Sequence, residues 1–154
     1  MEAYVAGWDL EQQCRELVNK GKEFVRLLRK DYPNARVRIM GLLLCSVNGG
    51  VGTSYGAQLP CCDDYGTARF VMALNQAYEA WTKEPEYRDF MEFVNLSAQF
   101  DVDNNMPSML KPVNTRSKQT EVIGTNGAHP LLEGYLQIAD AVYRDMVHML
   151  QEEV

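Results

Sequence analysis

The chain has 154 residues, 46% of them apolar and 23% charged, with a formal charge of −6 and a pI near 4.9. That length suits one domain, spanning 1–154, and the composition is too apolar for disorder. Lys and Arg gather on no single stretch, which argues against a nucleic-acid partner, and no run approaches the ~18 apolar residues of a membrane span. The first ten residues include Glu2 and Asp9 and have no basic start, so a secretory signal is not expected there.

Asp9 is a fair helix cap, with Gln12 in the position where a capping box places Glu or Gln. Leu10, Cys14, Leu17, Val18, Phe24, Val25 and Leu28 then recur at helical spacing. Arg29 and Lys30 suit the negative end of the helix dipole, and Pro33-Asn34 stop it, so a helix is predicted over 9–31. Residues 35–45 begin by alternating and then become apolar at every position. Such a run reads as a strand covered on both faces, as in a parallel sheet. It requires hydrogen-bonding neighbours along both edges.

Residues 46–64 hold Gly49, Gly50, Gly52, Gly56 and Pro60 and read as a long loop. A phosphate-binding loop is the alternative, but Asn48-Gly49-Gly50-Val51-Gly52 lacks a following Lys-Ser/Thr and a helix opening directly after it. The spacing of Phe70, Ala73, Leu74, Ala77, Tyr78 and Trp81 predicts a second helix over 65–84, its aromatic stripe facing the core. Phe90 to Leu96 reads as a second strand, which gives the strand–helix–strand order of an α/β fold. It supplies one edge partner for 35–45.

Little periodicity marks residues 98–128. Asp101, Asp103, Asn104 and Asn105 lack the Gly and closing Glu of a calcium loop and read as a polar surface turn. Cys14 and Cys45 read as buried small apolar residues. Adjacent Cys61-Cys62 read as loop thiols, with a disulfide to Cys14 or Cys45 left open. No cysteine has metal-ligand spacing, and neither a metal nor a cofactor is expected. A last helix begins at Pro130, which is well placed in a first turn, with Tyr135, Ile138, Ala139, Val142, Met146 and Met149 as its apolar face. His129 therefore sits one residue before a rigid start. His148, near the helix end, has no assigned role.

The order of residues from Asn126 to Ala139 resembles the last motif block of the SGNH (GDSL-type) hydrolases. That block is an acidic residue, two spacers, His-Pro, then Gly-Tyr followed by Ile-Ala. His129-Pro130, Gly134-Tyr135 and Ile138-Ala139 match, and Asn126 occupies the acidic position. Tyr32-Pro33-Asn34-Ala35 before the apolar strand resembles the family's penultimate strand and preceding helix. Phe93-Val94-Asn95-Leu96 resembles its last strand, which often carries Asp where Asn95 stands. Tyr55-Gly56-Ala57, the helix near Asn75, Asp103-Asn104-Asn105-Met106-Pro107 and Asn114-Thr115-Arg116 are similar to a phage and gut-bacterial branch.

The resemblance implies the C-terminal half of a flavodoxin-like three-layer α/β sandwich, with parallel strands and flanking helices. It implies cleavage of acyl or acetyl esters, including esters on carbohydrate. In the family the His takes a Ser proton, the alkoxide attacks the ester carbonyl, and backbone plus Asn donors hold the oxyanion. His129 matches the base; its plain alternative is a loop His used for packing. Asn126 cannot stabilise an imidazolium as a carboxylate does, a change that costs about four orders of magnitude in a Ser-His-Asp triad. The Gly-Asp-Ser block, the oxyanion Gly and the Gly-x-Asn-Asp block do not appear. Ser46, Ser54, Ser97, Ser108 and Ser117 stand in other contexts, and Gly7-Trp8-Asp9-Leu10 is at most a remnant of the last block.

Two expectations follow. In one, the chain supplies His129 to an ester-cleaving site whose Ser lies elsewhere, within a homo- or hetero-oligomer that completes the sheet. In the other, it is a non-catalytic structural or binding protein, such as a virion component, that keeps part of the fold.

Overall fold

The computed structural model describes residues 9–44 and 64–151. The glycine-rich stretch at 46–63, the phosphate-loop alternative, Tyr55-Gly56-Ala57, Gly7-Trp8, and Cys45, Cys61 and Cys62 lie outside those residues. Helix α1 covers Leu10–Asp31, and the Asp9 carboxylate accepts from Gln12 N at 3.1 Å as its N-cap. Strand β1 is Val37–Met40, helix α2 is Asp64–Thr82 and strand β2 is Met91–Val94. A 3-10 turn at Leu96–Gln99, a short helix α3 at Val102–Asn105, strands β3 (Ser108–Pro112) and β4 (Thr120–Gly124), and helix α4 (Leu132–Gln151) complete the order.

Strands β1 and β2 run parallel, with Val37 opposite Met91 and Met40 opposite Val94. The protein is thus a mixed α/β structure built on a small parallel sheet with helices. Both strands are shorter than the apolar runs that contain them: Gly41 N still donates to Val94 O at 2.8 Å, and residues 42–44 leave the ladder. Asn75 meets the chain just past β1. Its side chain, buried on α2, accepts from Leu42 N at 2.8 Å and donates to Leu42 O at 2.9 Å. Val37 N and Gly41 N bond β2, so the Leu42 groups face the opposite edge of β1, where one amide occupies both of them. Among the described residues the sheet has two strands.

Alternation along the strands sends their side chains to two different cores. Val37, Ile39 and Met91 pack with Val18 and Val25 of α1 and Trp81 of α2. Met40 and Val94 pack with Ile138, Ala141 and Val142 of α4. In the first core Tyr87 meets Trp81 edge-on, with centroids 5.5 Å apart. A Cβ on Gly21 would lie 2.8 Å from the Trp81 ring, so α1 approaches α2 closely at that glycine. On the α4 side, Arg38 lies between Glu92 (3.2 Å) and Asp145 (3.3 Å), and only 9% of the Arg38 side chain is exposed.

The same contacts fix the direction of α4. Asp145, near its end, meets β1 at Arg38, whereas Gly134, near its start, packs against Phe100 and Asn105 beyond the end of β2. The helix therefore runs antiparallel to the strands, and its first turn lies past their C-terminal ends.

The segment 98–128, which shows no periodicity, contains most of what the sequence conceals. Asp101 to Asn105 forms a capped helical turn, with the Asp101 carboxylate accepting from Asn104 N at 3.1 Å and Asn104 Nδ2 at 2.9 Å. An antiparallel hairpin follows, with Leu110 opposite Val122 and Lys111 opposite Glu121. All five residues of β3 are exposed. Lacking a buried face, the hairpin also lacks the strict alternation by which a half-buried strand is read.

Candidate functional site

The loop carrying His129 is held at both ends by backbone hydrogen bonds to one short segment. Thr125 N donates to Pro107 O at 2.9 Å, and Leu131 N donates to Asn105 O at 2.9 Å. The first turns of α4 reinforce this anchor. Gln137 Oε1 accepts from Asp101 N at 2.9 Å and from Asn105 Nδ2 at 2.7 Å. Inside the loop, Asn126 Oδ1 accepts from Ala128 N at 2.9 Å and from His129 N at 3.0 Å. This is the local side-chain-to-backbone turn that Asn favours. Asn126 thereby holds the peptide of His129.

His129 is exposed, on the side of the sheet toward which β1 and β2 point. In open α/β sheets ligands bind beyond the carboxyl ends of the strands. An imidazole in that place can exchange a proton with a molecule arriving from solvent. Asn126 directs its carbonyl oxygen to backbone amides.

A second polar group lies at the same edge of the sheet, under α2. A cavity of about 160 Å³ is lined by Leu44, Met72, Asn75, Glu79, Phe93, Asn95 and Ser97, among others; neither His129 nor Asn126 lines it. Its polar atoms are largely committed. Asn75 holds Leu42, Asn95 Oδ1 accepts from Ala98 N at 3.2 Å, and Ser97 donates its hydroxyl proton to Leu42 O. A serine so engaged is not poised as a nucleophile, since its proton faces a carbonyl and not a base. Asn75 is the residue to which sequence reasoning gave no role. The only signal was a polar residue between Leu74 and the Ala77–Trp81 stripe of a buried helix face.

Cys14 is free and buried, and burial pushes its thiol above the usual range, which marks a packing residue and not a reactive thiolate. The Asp101 carboxyl is held below the ordinary carboxylate value, first by the Asn104 side chain and then by the Asn104 backbone N–H. Among the described residues no three His, Cys, Asp or Glu side chains are grouped to hold a metal ion. No helix among them is long and apolar enough to cross a membrane. Comparison with known protein families, with curated proteins and with solved structures gives no match.

Proposed function

We propose that this chain is the base-bearing half of an SGNH-type ester hydrolase, with His129 serving a serine carried by another polypeptide. The fold it would contribute is the C-terminal part of a flavodoxin-like three-layer sandwich. The substrate class is an acyl or acetyl ester, carbohydrate esters included. The observation that carries the reading is the setting of His129: an exposed imidazole on doubly anchored backbone, past the C-terminal ends of two parallel strands. A partner strand from a homo- or hetero-oligomer would extend the β1–β2 pair and bring in the nucleophile and oxyanion donors.

The chain alone is then expected to show no ester turnover. A fluorophosphonate probe applied to the native assembly labels a serine on the partner chain, and His129→Ala suppresses that labelling. Hydrolysis of p-nitrophenyl acetate by the isolated chain, lost in His129→Ala, overturns the divided site. Labelling that His129→Ala leaves unchanged overturns the role of the imidazole.

One observation favours a second reading, a non-catalytic structural or binding protein. Asn126 stands where the family has a carboxylate, and its oxygen serves the loop backbone instead of the imidazole. Under this reading the pinned loop shapes a binding surface, and the assembly reacts with no serine probe.

A further inference from the structure

We infer that the β3–β4 hairpin is an arm that docks on α4 of a second copy of this chain. The inference rests on surface chemistry and is independent of the ester-hydrolase reading.

The arm is exposed along nearly its whole length. Every residue of β3 and the first three of β4 are exposed, and Leu110, with 67% of its surface open, and Met109 stand among them. A two-stranded hairpin alone in water is marginal at best, so this one calls for a cover. Its charge is predominantly basic: Lys111, Arg116 and Lys118 against Glu121, in a chain whose total is −6.

Helix α4 offers the complementary surface. Its inward face, at Ile138, Ala141 and Val142, packs on the sheet. A surface helix normally has one apolar face, yet α4 has a second. Leu132, Leu136, Tyr143, Met146 and Leu150 are each more than half exposed. Together with exposed Ala139 they recur at alternating spacings of four and three, the period of a seam that buries itself against a partner. Glu133 and Asp140 flank the N-terminal half of the stripe. An apolar and basic arm thus meets an apolar and acidic helix face.

The arm does not lie on its own helix, because its residues are open. Both elements nevertheless spring from one root, where Pro107 and Asn105 anchor Thr125 and Leu131. Two copies related by a two-fold axis near that root can exchange arms, so that each contact is made twice. A specific interface buries on the order of 1,000 Å² in total, and making the contact twice doubles what one arm contributes. That self-complementarity selects a second copy over an unrelated partner.

The test is sedimentation equilibrium of the full chain over a dilution series, at low and high salt. The expected result is a dimer that dissociates on dilution and is weakened by salt. Leu110→Asp or Leu136→Asp raises the dissociation constant by about tenfold or more. Arg116→Glu with Lys118→Glu also weakens it, and adding Glu133→Lys and Asp140→Lys to that pair restores it. A photoreactive residue at position 110, in mixed isotope-labelled and unlabelled chains, crosslinks to residues 132–140 of the other copy. A mass that stays monomeric at the highest concentration overturns the inference. So does a dimer indifferent to Leu110→Asp in a chain whose circular dichroism is unchanged, or a crosslink confined to one chain.

Discussion

Gly134→Ala separates helix propensity from tertiary packing at the root of the His129 loop. In an isolated helix the change would be favourable, because Ala exceeds Gly by about 1 kcal/mol. Here the added Cβ would lie 2.6 Å from Pro130 Cβ, 2.9 Å from Asn105 O and 3.0 Å from a Phe100 ring carbon. Two of these neighbours cannot turn aside: Pro130 is a ring, and Asn105 O is backbone that accepts from Leu131 N. The helix must shift outward, at a cost near the upper end of the ~1–3 kcal/mol typical of overpacking. Subtracting the propensity gain leaves a loss of about 2 kcal/mol, or a fall in Tm of about 4–8 °C for a chain of this size. Differential scanning calorimetry of the full chain measures it, and the His129 ring resonances report the accompanying displacement of the loop. A Tm equal to or above that of the parent would mean that α4 does not approach Asn105 this closely, and the anchoring of His129 would fail with it.

Three further outcomes are expected. Asn75→Leu leaves Leu42 N without its amide partner while Leu42 O keeps the Ser97 hydroxyl, and lowers stability by about 1 kcal/mol in urea unfolding, the low end for a group left unpaired; a change below about 0.5 kcal/mol, as at an ordinary surface site, would show that water replaces Asn75 freely. Asp145→Ala leaves Arg38 with Glu92 alone and costs about 2–3 kcal/mol, less than the ~3–5 for breaking a fully isolated buried pair because Glu92 remains 3.2 Å away. An unchanged midpoint in guanidinium would assign the pair no structural weight. The Asp101 carboxyl titrates below its ordinary value of 3.8, so its capping contribution is fully present above that pH and is lost as pH falls through the lowered value. Asp101→Asn keeps an acceptor for Asn104 N and removes this part of the acid limb of the stability curve; an acid limb identical in the two proteins would contradict the assignment.

Helical periodicity and punctuation were legible in the residues alone. Asp9 caps α1, the Trp81 stripe faces the core, and α4 follows Pro130 within two residues. A buried helix face must repeat with the helix, so its sequence records it. The two strands were placed by their apolar runs, but the runs extend past the ladder, and no pattern shows that Asn75, more than thirty residues away, holds the Leu42 backbone on the edge facing away from β2. The hairpin left no trace because neither of its faces is buried within the chain.

The site divides in the same way. His129-Pro130 announces an imidazole ahead of a helix, and no pattern reveals that Asn105 and Pro107 fasten the loop from both sides or that Asn126 turns its oxygen to the backbone. Hydrogen bonds between distant backbone groups carry no side-chain signature, so the residue types determined which chemistry the loop can offer. Only folding decided where that chemistry stands and what holds it.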